Sequence, residues 1–285
     1  MSKFTIAAVV AGLFMLTVPP SAAQQRAATP TRIVSLVPAT TEMLFAMGAG
    51  GRVVGVGNYD RFPPEVSRLP RVGGLVDPDT ERILALRPDL VVVYGTQVEL
   101  RQRLDRVGVP NYPYELGSLA QVMLTIRSLG TRVVMREQAE ALASSIEQEL
   151  AKVRRSVASR PRPKTLLVFS RDHGSLRNMS ASGGYGFLSD LLDIAGAENA
   201  LGDIAAPSVQ ASTEMILTRR PEVIVELHYG DGSSPGSEDL APWNVLASVP
   251  AVRNRRIHVL VGDEFVVPGP RVALAAQRLA EALHR

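Results

Sequence analysis

One eleven-residue segment occurs twice in this chain: TERILALRPDL at residues 80–90 and TEMILTRRPEV at residues 213–223. The offset is a constant 133 residues, pairing Glu81 with Glu214, Ile83 with Ile216, Leu84 with Leu217, Arg87 with Arg220 and Pro88 with Pro221. A segment repeated at that spacing implies two similar units, and 285 residues suffice for two domains of ordinary size. Within each copy a threonine opens a helix, Ile-Leu supplies a core stripe, Arg-Pro-Asp/Glu stops the helix, and an apolar β-rich run follows. The segment is therefore a helix-to-strand joint used once per unit. Stopping the helix explains Pro88 and Pro221, and packing explains the Ile-Leu pairs. Glu81 and Glu214 answer to neither need, because a first-turn acid gains only a few tenths of a kcal/mol from the helix dipole and many residues would serve. Their duplication points to two symmetric surface charges.

The rest of the chain fits the same plan. Strand-like runs at 33–37, 53–56 and 90–94 alternate with helical patterns at 40–47, 79–86 and 98–107. The second half repeats this, with strands at 165–169, 223–227 and 257–260 and helices at 186–195, 213–219 and 271–284. Alternation of this kind predicts α/β lobes of Rossmann-like type, each with a parallel sheet covered on both faces. Between them, residues 136–158 contain no Gly or Pro, and Ala139, Leu142, Ala143, Ile146, Leu150, Val153 and Val157 recur by threes and fours. About 23 residues at 1.5 Å each make a helix of roughly 35 Å, long enough to run from one lobe to the other. Pro161 and Pro163 in SRPRPK end it. The expected division is a first lobe at 32–134, a backbone helix at 135–160 and a second lobe at 161–285.

The first residues, MSKFTIAAVVAGLFMLTVPPSAAQQ, read as a secretory signal peptide: Lys3, an apolar run at 4–18, then Ser21-Ala22-Ala23 for cleavage after residue 23. That run is about 15 residues where a membrane span needs roughly 20, and Pro19 and Pro20 follow it. Residues 1–23 are expected to be removed and 24–31 to be a flexible lead-in. The absence of cysteine rules out disulfides and a thiol-linked lipid, so a freely diffusing periplasmic monomer without a membrane anchor is expected. Formal charge is only +3 although the pI is 9.4, and the basic residues are scattered except at Arg253, Arg255 and Arg256. That trio reads as a solvated turn before a strand, and nucleic acid is not an expected partner.

Catalytic patterns fail on context. Residues 232–236 match G-x-S-x-G, but a nucleophile elbow must turn directly into a helix, and DGSSPGSEDLAP is a polar loop with proline at the critical place. His258 and Asp263 also follow the serine in the wrong order for that fold. A serine hydrolase centred on Ser234 is the minor alternative from a different functional class. Gly48-Ala49-Gly50-Gly51 follows a helix rather than a strand and is a helix stop. The four histidines form no HxxxH or HExxH pair. No catalytic residue, dedicated metal site or resident cofactor is expected.

Four stretches carry a resemblance that spans nearly all of the mature chain: RIVSLVPATTEMLFAMGAGGRVVGVGNYDRFPPE, LPRVGGLVDPDTERILALRPDLVVV, GGYGFLSDLLDIAGAENALGD and VPGPRVALAAQRLAEAL. They resemble the substrate-binding proteins of ABC importers for vitamin B12, ferric siderophores and haem, the type whose two lobes are joined by one backbone helix. The resemblance implies a non-enzymatic binder that hands a metal chelate to a permease dimer at the inner membrane. In the family one acid from each lobe docks onto permease arginines, and Glu81 and Glu214 match those positions. Two lobes meeting two permease subunits would account for the repeat.

Family ligands sit between the lobes at the C-terminal ends of the strands, as in open α/β sheets generally. Here those ends offer Pro38, Ala39, Thr40, Tyr59, Arg61, Tyr94, Arg171, His173, Asp263, Phe265 and Arg271. The vitamin B12 binders share SLVPATTE and NYDRFPP most closely with this chain, so cobalamin or a related corrinoid is the expected cargo. The chain departs from them in having Trp243 as its one tryptophan and Leu75 and Ser208 where relatives tend to be aromatic. Haem would call on an axial Tyr94, His173, His228 or Tyr229. An anionic ferric siderophore would call on a cluster of Arg61, Arg171, Arg177 and Arg271.

Overall fold

In the computed structural model, which describes residues 29–230 and 239–285, the two copies of the repeat occupy equivalent places in two lobes. The first lobe runs β1 (Ile33–Ser35), α1 (Pro38–Ala46), β2 (Val53–Val56), α2 (Thr80–Ala85), β3 (Leu90–Tyr94), α3 (Val98–Arg106), β4 (Asn111–Tyr114) and α4 (Leu119–Arg132). Helix α5 (Arg136–Val157) follows. The second lobe runs β5 (Lys164–Ser170), β6 (Ser180–Ser182), α6 (Phe187–Ile194), β7 (Glu198–Asn199), β8 (Ser208–Gln210), α7 (Thr213–Arg219), β9 (Val223–His228), α8 (Pro250–Arg253), β10 (Ile257–Val261) and α9 (Val272–Leu283). The signal-peptide segment, most of the lead-in after it and the G-x-S-x-G loop lie outside the described residues. No helix among the described residues is long and apolar enough to cross a membrane.

The first sheet is parallel throughout, in the order β2-β1-β3-β4. The second has the order β10-β9-β5-β6-β8 with β7 also on β5, and here the expectation of a purely parallel sheet needs correction. Strand β6 runs antiparallel to both its neighbours, β5 and β8. The reason is local: after β5 the chain turns back through Asp172 and Ser175, with Asp172 N–H donating to Arg177 O, instead of crossing over through a helix.

The joints repeat in atomic detail. Asp79 caps α2 by accepting from Arg82 N, and Ser212 caps α7 by accepting from Met215 N. A left-handed arginine follows each helix, Arg87 at φ 47° one residue beyond the cap Leu86 and Arg220 at φ 51° as the cap itself, and a buried proline comes next. The acid after each proline has a task that the sequence pattern did not reveal. Asp89 accepts from the Thr31 amide at 2.8 Å and Glu222 from the Lys164 amide at 3.1 Å, so each joint ties down the start of the neighbouring first strand of its lobe.

Helix α5 buries Ala139, Ala143, Ile146, Leu150 and Val157 along one face. It packs on α4 in the first lobe and on α6 and α9 in the second. One hydrophobic cluster therefore runs through both lobes, from Met43, Val92 and Ile126 to Leu191, Val225 and Leu279. Gly130 lets α4 approach this helix, since a Cβ there would collide with the side chain of Ala139. Smaller cores close the outer faces: Val34, Val91, Val93 and Leu104 in the first lobe, and Leu166, Val168, Ile224 and Trp243 in the second.

Candidate ligand-binding cleft

Because the central strands of both sheets are parallel, their C-terminal ends define one edge of each lobe, and the lobes face each other there. Two backbone amides donate across the approach: Phe187 N–H to Gly117 O at 3.0 Å, and Leu119 N–H to the Asp190 carboxylate Oδ2 at 2.7 Å.

The floor between the lobes is a ladder of alternating charge. Glu42, on α1, is 3% exposed and accepts from Arg271 Nε at 2.9 Å and Arg271 Nη2 at 2.5 Å. Arg271, the N-terminal cap of α9, also lies 3.5 Å from Glu264, which in turn pairs with Arg278. The Phe62 ring stacks 4.4 Å from the Arg271 guanidinium. Burial raises the pKa of the Glu42 carboxyl, while the hydrogen bonds and charge of Arg271 oppose that rise.

Beside this ladder Asp60 is 1% exposed, and neither carboxylate oxygen has a hydrogen-bond partner among the described residues. The nearby Thr41 hydroxyl donates to Ser35 and Val37, and the Gly57 amide to Ser35 O. Arg71 reaches the backbone carbonyls of Gly57 and Asp60 rather than the carboxylate. Burial accordingly pushes the Asp60 carboxyl up to about 7.

Aromatic residues stand at the strand ends and in nearby loops. Tyr94 closes β3, half-buried and edge-on to Tyr114 at 6.1 Å between ring centroids. Its phenol is pushed up to about 12 by burial first and then by the charge of Asp60. Gln97 braces the strand end, accepting from Tyr94 N and donating to Gly74 O and Leu75 O. Tyr59 is 73% exposed, and Arg61 beside it is also exposed, reaching toward Gly230 of the second lobe. From that lobe Tyr229 and Tyr185 are exposed as well, and the Tyr185 hydroxyl approaches Gly117. Sequence reasoning passed over Tyr185, although its setting, Gly183-Gly184-Tyr185-Gly186, is the kind of glycine-rich turn that presents a side chain.

Several other expected residues are occupied structurally. Thr40 is fully buried, with its hydroxyl bonded to Val37 O and Ser35 Oγ. Pro38 opens α1, and Ala39 lies against the backbone of Gly269. Asp263 accepts from Gly230 N and staples two loops, while Phe265 is buried beneath the Arg278 guanidinium. Arg171 is bound by Glu226, Nε to Oε1 at 2.7 Å, within a buried knot that also takes the Trp243 indole N–H and the His228 ring. Arg61, Arg171, Arg177 and Arg271 therefore do not converge as free cations, and Trp243 serves the core. Among the described residues, no group of three or more His, Asp or Glu is placed to hold a metal ion.

Glu81 and Glu214 are exposed, each in the first turn of its helix. A helix that feeds a parallel strand starts at the strand's C-terminal edge, so both acids belong to the cleft edge of their lobes. Hydrogen bonds from its own backbone amide and from Ser212 hold the Glu214 carboxyl below the ordinary range.

Comparison with known proteins places this architecture. A vitamin B12-binding protein of Yersinia pseudotuberculosis is 29% identical over 280 residues, covering 97% of this chain and 92% of the relative. Among solved structures, the periplasmic heme-binding protein RhuT from Roseiflexus sp. RS-1 superposes with a TM-score of 0.76 at 28% identity, covering 89% of this chain and 97% of that one. The vitamin B12 binding protein BtuF of Vibrio cholerae gives a TM-score of 0.74 at 24% identity, covering 90% and 97%, and supports the fold. The family model described as periplasmic binding protein matches residues 33–263, from β1 to the cleft loop after β10, and the chain belongs to that family.

Proposed function

We propose that this protein captures a flat metal chelate of the corrinoid class, cobalamin foremost, and delivers it without chemical change to a two-subunit importer permease, docking through Glu81 and Glu214. The observation that supports the ligand class is the set of tyrosines at the C-terminal strand ends of both lobes, Tyr59 after β2, Tyr94 at the end of β3 and Tyr229 after β9, beside a floor whose charges are already paired. Aromatic faces suit a broad, largely apolar ring, and a neutralised floor does not select a strongly anionic siderophore. Tyr94 is half-buried and edge-on to Tyr114, so its ring is offered as a packing surface. Vitamin B12 binding by similar proteins over nearly the whole chain points the same way.

Haem is the second reading, favoured by His228, a half-buried imidazole at the cleft end of β9 backed by Glu226 at 3.1 Å. The deciding experiment incubates the purified protein with cobalamin, haemin and ferric siderophores, desalts it and records ultraviolet-visible spectra. Retention of the cobalamin spectrum at one equivalent is expected. Retention of haemin or a ferric siderophore with no cobalamin would overturn the assignment.

A further inference from the structure

The second lobe carries a concavity of about 890 Å3 at its foot, where the linker after α5, the end of α7, helix α8 and the last turn of α9 meet. It is lined by Arg160, Arg162, Arg220, Arg253, Arg256 and Arg285, and by a single acidic side chain, Glu222. That acid is engaged with the Lys164 amide. Arg160 donates to His284 O and Arg256 to Leu283 O, both at 2.8 Å, and Arg162 to Ala197 O and Asp193. Capping the C-terminal carbonyls of α9 explains Arg160 and Arg256. It does not explain Arg220, Arg253 and Arg285, whose side chains make no hydrogen bond or ion pair among the described residues. Each capping guanidinium, with five N–H donors, also keeps donors to spare.

Arg162 is ion-paired with Asp193, which leaves five guanidinium groups around the hollow against one acidic side chain, Glu222; an anion among them lowers their mutual repulsion, and planar, fork-shaped donors match phosphate oxygens in pairs. Pro161, Pro163 and Pro250 stiffen the walls, which suits a small, multiply charged anion entering the hollow better than the broad face of a folded partner. The lining residues Pro163, Glu222 and Arg256 immediately precede β5, β9 and β10, so the hollow lies at the opposite end of the strands from the cleft. A six-residue strand such as β9 separates the two by about 20 Å, and both can be filled together.

We propose that this hollow is a binding site for phosphate groups, independent of the ligand cleft. Pyrophosphate titrated calorimetrically into the full protein at low salt should bind saturably, and Arg220→Gln with Arg253→Gln should weaken that binding at least roughly tenfold. Folding, read by thermal melting, should be unchanged in this variant. Flotation with phosphatidylglycerol and phosphatidylcholine vesicles separates the sources. Selective binding to phosphatidylglycerol that pyrophosphate competes away identifies lipid headgroups, whereas pyrophosphate binding without vesicle binding identifies a soluble phosphate. Absence of saturable binding to either, or undiminished binding by the double variant, would overturn the proposal.

Discussion

Arg271 and Glu42 stand 229 residues apart in sequence and belong to different lobes, yet they meet in a two-point ion pair beneath the cleft, at 2.9 and 2.5 Å. With α5 packed on both lobes, this pair limits how far the cleft can open. Arg271→Ala strands a buried carboxylate, and a loss of about 3–5 kcal/mol in urea unfolding is expected. Glu42→Leu combined with Arg271→Met should recover most of it, because replacing both charges removes the orphan. A double variant as unstable as the single one would show that the ion pair itself is indispensable.

Asp60 should leave a signature in the pH dependence of stability. Its carboxyl titrates at an ordinary 3.8 when unfolded and at about 7 when folded, so between those values the native state holds the extra proton. Stability contributed through Asp60 therefore falls as pH rises from about 4 to 7 and is level above that. Asp60→Asn should stabilise the protein at pH 8 by roughly 2–4 kcal/mol and have little effect at pH 4. Destabilisation at pH 8 would mean that the carboxylate has a native partner.

Tyr94→Ala should weaken binding of the cobalamin ligand about five- to 150-fold, the equivalent of roughly 1–3 kcal/mol of aromatic burial, without unfolding the lobe. Tyr94→Phe should bind almost normally, because the ring rather than the hydroxyl makes the contact. A spectral change in the Tyr94→Phe complex would instead assign the phenol to the metal.

Charge reversal at Glu81 together with Glu214 should leave ligand affinity intact and abolish stimulation of the importer's ATPase, since both acids are exposed at the cleft edge and neither belongs to the floor. Normal transport by Glu81→Lys with Glu214→Lys would refute the docking assignment.

The left-handed arginines give a paired test of the repeat. Arg87→Val and Arg220→Val should each cost about 1–2 kcal/mol, because a β-branched residue fits φ near +50° poorly, while glycine at either position should be neutral or slightly stabilising. Unequal effects in the two lobes would mean that the joints share sequence but not mechanics.

The two-lobed plan, the joints and the long helix were legible in the chain because each is written in neighbouring residues: an apolar period of three and four, a proline stop, a segment repeated at constant offset. The short strands β6 and β8 were not legible, since three residues carry too little pattern and the antiparallel course of β6 is set by a return turn. Strand β4 and helix α4 also passed unread, the first interrupted by Pro113 and the second by Gly130, which makes sense only against Ala139 of α5. The site divides in the same way. Sequence alone put Tyr59 and Tyr94 at strand ends, and the duplication of Glu81 and Glu214 marked them as surface charges, which their exposure matches. Only the tertiary structure decided which charges are free. Arg171 is neutralised by Glu226, 55 residues away, and Arg271 by Glu42, 229 residues away, while Asp60 has no partner for its carboxylate among the described residues. Burial and distance, which fix a charge's cost and its partner, arise when strands far apart in the chain come together within a lobe or between the lobes, and no local pattern encodes them.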